Sequence, residues 1–145
     1  MKKYMLTGIM LLLLNVAFAQ DKDAVVGRWR SEHGSGELQV YQTGEKYFGK
    51  LVWMKEPNDA NGRPKLDIYN PSENLRSYPI VGLEIIKNLE YKGKGQWDNG
   101  TVYNPKSGNS YSCKMSMTGN RNKLNIKGYM GFSFIGKSET WTRVL

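Results

Sequence analysis

Two short motifs frame this sequence, Gly27-Arg28-Trp29 near its beginning and Trp141-Thr142-Arg143 two residues before its end. A tryptophan early in a strand-like run needs a floor to rest on, and an arginine carried by the last strand can lay its guanidinium across the indole face. That contact would join the first strand to the last and close the sheet on itself. A closed antiparallel barrel has no free edge, and a small one is either filled by its own side chains or holds one small ligand. Gly27, Trp29, Trp141 and Arg143 are therefore read as the closure of an all-β, up-and-down antiparallel barrel.

Residues 1–19 read as an export leader. Lys2 and Lys3 give a positive start, Met5 to Val16 is an apolar core, and Ala17-Phe18-Ala19 supplies the small residues of a cleavage site, so that Gln20 becomes the mature N-terminus. A membrane-crossing helix needs roughly 20 apolar residues, more than this stretch has, and no integral span is expected after processing. No cysteine follows the cleavage site to carry a lipid. The expected product is a periplasmic or extracellular protein, whose remaining 126 of 145 residues make one domain, 20–145, around a single core.

Without Lys2 and Lys3 the 21 basic residues become 19 against 13 acidic ones, a formal charge of +6 in place of +8. The excess is scattered, since Lys92-Gly93-Lys94 and Arg121-Asn122-Lys123 fall at expected turns, where lysines keep loops solvated. Together with the leader this argues against a nucleic-acid partner. Cys113 is the one cysteine, so no internal disulfide can form. Alternation through Tyr111-Ser112-Cys113-Lys114-Met115-Ser116-Met117 puts Cys113 on the face of Tyr111, Met115 and Met117, the setting of a small buried hydrophobe and not of a reactive thiolate.

Short strand-like runs broken by glycine and asparagine follow one another along the chain, eight to ten in all. They are Val25 to Glu32, Gly36 to Gln42, Lys46 to Lys55, Ile80 to Tyr91, Gln96 to Asp98, Gly100 to Tyr103, Asn109 to Thr118, Lys123 to Met130, Phe132 to Ile135 and Ser138 to Leu145. Leu38 and Val40 alternate with Glu37 and Gln39, and Leu124 and Ile126 with Lys123, Asn125 and Lys127, which makes one face dry and the other wet. Leu51, Ile85, Leu89 and either Phe132 or Phe134 extend the inward set, while Tyr41, Tyr47, Phe48 and Tyr129 are assigned to outward faces. A ligand inside the barrel would be lined by Trp53, Met115, Met117 and Phe134, although methionine serves as gap filler as readily as it lines a cavity.

One connection, Glu56 to Tyr78, is longer than a compact domain tolerates without a reason. Its Asn58-Asp59-Ala60-Asn61-Gly62 has the opening rhythm of a calcium loop, but no acidic residue follows at the third and fifth ligand positions, so no metal site is expected. Asx turns account for these side chains. A loop of this length at a barrel mouth can act as a gate, with Arg63 and Arg76 available to an anionic group.

Trp97 followed by Gly100-Thr101-Val102-Tyr103-Asn104-Pro105-Lys106-Ser107-Gly108-Asn109-Ser110-Tyr111 resembles the signature of the bacterial exported family catalogued as domain of unknown function 2147. The family's other marks follow in order: Gly27-x-Trp29, Gly49 before a strand ending in Trp53, Asn70-Pro71, Leu75-Arg76, Pro79, Gly82-Leu83, Gly128-Tyr129 and Trp141-x-Arg143. Asn104 and Asn109 depart from it, standing where the family more often has aspartate and lysine. The resemblance implies a lipocalin-like barrel whose biochemical activity is not established. The Gly-x-Trp start with a late arginine is also similar to the wider lipocalin, fatty-acid-binding and avidin group, whose barrels carry small apolar molecules.

Three functional classes remain. A binding barrel for a small apolar or amphipathic ligand leads. An envelope interaction protein with a filled barrel, working through outward aromatics toward a partner or a second copy, is the alternative. An enzyme is disfavoured, because no Ser-His-Asp order, histidine cluster or isolated carboxylate pair is present and no cofactor motif is found.

Overall fold

The computed structural model describes residues 21–129 and 138–145. Eight antiparallel strands follow chain order around a closed barrel: β1 (Gly27–Arg30), β2 (Gly36–Thr43), β3 (Lys46–Met54), β4 (Glu84–Gly93), β5 (Gln96–Asn104), β6 (Asn109–Ser116), β7 (Lys123–Tyr129) and β8 (Ser138–Arg143). The closing pair is β1 with β8, registered Trp29 to Arg143 and Arg30 to Thr142. The expected all-β up-and-down barrel is thus the fold observed. The leader and the expected strand Phe132–Ile135, with Phe134, lie outside the described residues.

Period-two alternation puts Leu38, Val40, Leu51, Leu89, Cys113, Met115, Leu124, Ile126 and Trp141 in one buried cluster with Trp29 and Trp97. Burial pushes the Cys113 thiol up to about 12, with the Asp98 charge adding to it, so this sulfur is inert.

Four expectations are corrected by local backbone. Tyr47 is buried rather than outward, because it shares strand parity with Gly49 and Leu51. Ile86, not Ile85, enters the buried core: β4 shifts register against β3 there, and Asn88 takes φ +62° further on. Gln96–Asp98 and Gly100–Tyr103 form one strand, since Asn99 at φ +64° makes a bulge instead of a turn. The first strand stops at Arg30 because the Ser31 hydroxyl accepts the Ser35 and Gly36 amides, folding the chain into a turn.

Candidate functional site

The two ends of the barrel differ. At one end the segment 21–26 crosses as a single turn and is tied from below. Trp29 donates its indole N–H to the Val25 carbonyl at 2.9 Å, Trp97 to Lys22 at 3.1 Å, and the Tyr47 hydroxyl to Asp23 at 2.7 Å. Arg143 lies with its guanidinium carbon 4.3 Å from the Trp29 ring centroid and donates to the carbonyls of Ala24 (2.5 Å), Val26 (3.1 Å) and Arg121 (3.2 Å). Desolvation, with the nearby Arg121 charge, lowers the Arg143 pKa. Gly27 is required beside it, because at φ +143° a β-carbon would come within 2.6 Å of Arg143 Nη1. A cleft of about 460 Å³ lies on the rim of this end among Lys22, Glu45, Lys46, Tyr91 and Lys92, and its Glu90 already accepts Lys92 at 2.9 Å and faces Lys46 at 3.9 Å.

The opposite end carries the long connection, the Ser31–Ser35 turn and the β5–β6 turn. There Met54, Ile80 and Val102 are partly buried and pack against the core cluster. Tyr111 pairs with Val102 on the same face and is also partly buried. Glu139, opposite Ile126, belongs to the inward set of β8 with Trp141. The long connection is latched to this end by Asp67, which is fully buried and accepts the Tyr103 hydroxyl at 2.6 Å and the Asn70 amide at 2.8 Å. A second fixing point is Gly108 (φ +76°), whose Cα sits against the Tyr69 carbonyl so closely that any β-carbon would collide with it.

The sequence-expected residues distribute unevenly over this geometry. Met115 pairs across strands with Trp97, and the Met117 amide bonds the Gly95 carbonyl, so both sit toward the closed end and are buried there. Trp53 does not join them. Val52 is the extra residue of a bulge, because Leu38 opposes Leu51 while Glu37 opposes Trp53, and Trp53 is turned to the face of Glu37 with Arg30 5.4 Å above its ring. Glu37 itself is buried and held by Arg28 Nε at 2.5 Å and Arg30 Nη2 at 2.5 Å. Desolvation alone would raise its pKa, but the hydrogen bonds and charges of the two guanidiniums win and hold it low. Arg76 donates to the Asn70 carbonyl at 2.7 Å and so braces the long connection, whereas the Arg63 side chain is exposed.

Sequence reasoning missed the three tyrosine–carboxylate pairs, Tyr41 to Glu84, Tyr47 to Asp23 and Tyr103 to Asp67. Burial first, then the accepting carboxylate, pushes Tyr41 and Tyr103 up to about 12 and Tyr47 higher still. A raised folded pKa means that these bonds contribute fully below the unfolded tyrosine value near 10 and are lost as pH rises through about 12. Absorbance titration of the eight tyrosines of the mature chain should therefore show a late group that ionises together with unfolding. Reversible titration of all eight near pH 10, with the fold intact, would contradict the pairing.

Among solved structures the chain is similar to protein HP1028 from the human pathogen Helicobacter pylori, described as belonging to the lipocalin family, with 21% identity over 83% of each chain and a TM-score of 0.71. At that identity the likeness shows the fold. No curated protein matches the chain. Residues 27–143, from the first glycine of the closure to its arginine, match the family described as "Uncharacterized protein conserved in bacteria (DUF2147)", and the chain belongs to that family.

Proposed function

We propose that this protein is a non-enzymatic carrier of one small apolar or amphipathic molecule, held at the barrel end opposite the 21–26 turn. The observation that carries the reading is a gradient of filling along the interior. Trp29, Trp97, Tyr47 and Met115 pack the closed end with at most 1% exposure, leaving only Ala24 and Tyr91 partly buried at its edge, whereas Met54, Ile80, Val102 and Tyr111 at the other end keep part of their surface open. Side chains that face inward yet stay accessible leave room for an apolar guest, and each methylene buried there contributes about 0.8 kcal/mol. The lipocalin family assignment of the Helicobacter protein supports the same reading. So does the leader-like stretch 1–19, which suits an exported carrier of the periplasm or exterior. On this reading Met115 and Met117 support the floor of the site and do not touch the guest, while Arg63 is the exposed cation of the connection available to an anionic group on it.

The test is titration of the mature chain with the neutral fluorescent probe N-phenyl-1-naphthylamine, paired with native mass spectrometry of protein purified from its own envelope. Saturable 1:1 uptake is expected, weakened at least tenfold in Val102→Lys, whose long side chain can fill the mouth while its amine reaches water. A bare polypeptide that takes up no probe would overturn the carrier reading.

A further inference from the structure

Five of the seven large hydrophobic side chains exposed among the described residues lie in one stretch, 66–78: Leu66, Ile68, Tyr69, Leu75 and Tyr78. Ile68, Tyr69 and Tyr78 are 57–59% exposed, which is costly for residues of this size unless something covers them. They cannot retreat into the barrel, because the lobe that carries them is built to hold them out. Its ends are bridged at Leu66 and Pro79, and the Asp67 amide bonds the Tyr78 carbonyl at 2.9 Å. Asp67 takes the inward position between Leu66 and Ile68 and spends it on Tyr103 and Asn70. Gly108 locks Tyr69 against the neighbouring turn.

The charges around the lobe name the partner. Lys55, Arg63, Lys65 and Arg76 lie on the lobe or at its start and Lys106 on the β5–β6 turn against it, beside Glu56, Asp59 and Glu73, and Asp59 is occupied by the Asn61 and Arg63 amides. The mature chain, 20–145, has the same sign of excess, +6, from 19 basic against 13 acidic residues. A second copy would bring five like cations to the same contact. A layer of anionic head groups over hydrocarbon complements both the charge and the apolar tips, and tyrosine suits that boundary, with its ring in the apolar zone and its hydroxyl in water.

We propose that the 56–79 lobe docks the open end of the barrel on the surface of a bilayer containing anionic lipid. Leu66, Ile68, Tyr69, Leu75 and Tyr78 enter the interface, and the surrounding arginines and lysines meet the head groups. Docking in this orientation brings the barrel mouth to the lipid. It does not depend on a guest being carried, so it can stand or fall by itself.

The experiment is co-sedimentation of the mature chain with vesicles of phosphatidylcholine alone and with about one-third phosphatidylglycerol, beside sedimentation velocity without lipid. Binding is expected to the anionic vesicles, to fall several-fold when salt is raised from about 0.02 M to about 0.5 M, and to fall about tenfold in Ile68→Ser/Tyr69→Ser. Both substituted positions are exposed, so the thermal melt of that variant should match the parent. Arg63→Gln/Lys106→Gln should weaken binding to anionic vesicles and leave the small affinity for neutral ones unchanged. No pelleting with either vesicle, equal pelleting with both, or undiminished pelleting of the serine variant would each overturn the proposal. A dimer that the serine variant abolishes, with no vesicle binding, would assign the patch to a second copy and overturn it as well. N-phenyl-1-naphthylamine uptake measured on the same samples separates failure of docking from failure of the carrier reading.

Discussion

Trp29→Ala is expected to destabilise the protein by about 3–5 kcal/mol, the range for removing a large aromatic side chain from a packed core. Trp29 has no exposed surface, and its removal takes away the ring under Arg143 and the donor to Val25 together. For a domain of this size the melting temperature should drop by roughly 10–20 °C. Arg143→Ala should cost less, about 2–3 kcal/mol, through three abandoned carbonyls and the lost ring contact. The double variant should be milder than the sum of the two, since they share one contact. Arg143→Lys keeps the charge without the planar fork and should restore little. A Trp29→Ala protein melting within about 2 °C of the parent would mean that the first and last strands are not held together here.

Gly108→Ala is the second large effect. The residue sits at φ +76°, which costs an L side chain about 1–2 kcal/mol, and the new β-carbon would run into the Tyr69 carbonyl. The backbone of the long connection has to move away, and with it goes the Tyr103–Asp67 bond, worth about 1.5–3 kcal/mol as a hydrogen bond to a charged group. The expected total is on the order of 3 kcal/mol, accompanied by trypsin cleavage after Lys65 or Arg76. Gly44→Ala supplies the control, because its φ of +62° carries the same backbone strain with nothing within 4 Å of the new carbon. Equal melting temperatures for the two variants, with no cleavage in either, would show that the connection is not docked on the β5–β6 turn.

Both predictions concern features that were unequally visible beforehand. The barrel and its closure were legible, because a bulky residue and a fork-shaped cation at the two ends of an alternating sequence have few other ways to be satisfied. The dry face was legible wherever alternation ran unbroken, as in β7, where Leu124 and Ile126 are buried. It failed where a strand gains one residue. The bulge at Val52 turned Trp53 to the outer face, and the register shift of β4 against β3 buried Ile86 fully and left Ile85 only partly buried against the core. One extra residue inverts every assignment beyond it, and nothing local announces it.

The candidate site was less legible than the fold. The Glu56 to Tyr78 stretch stood out by its length, and the turn at Pro105 to Gly108 by its composition, but their contact was invisible. Asp67 lies 36 residues from Tyr103, and Glu84 43 from Tyr41. Either carboxylate reads as a solvated charge until the chain places a hydroxyl beside it. The exposed tips of Ile68, Tyr69 and Tyr78 were equally hidden, since an apolar residue in a loop shows which way it points only when its neighbours' burial is known.

By itself, the sequence determined that this chain makes a closed antiparallel barrel, which strands begin and end it, and that its thiol is buried. Those properties follow from period-two patterning and from side chains whose size or charge admits one kind of partner. Tertiary structure alone decided which end of the barrel the 21–26 turn covers, which side chains at the other end stay only partly buried, and that the long connection is a fixed lobe with its apolar residues turned out. Each of these depends on groups far apart in sequence meeting at one point, and the strength of such a contact comes from burial that no single segment possesses.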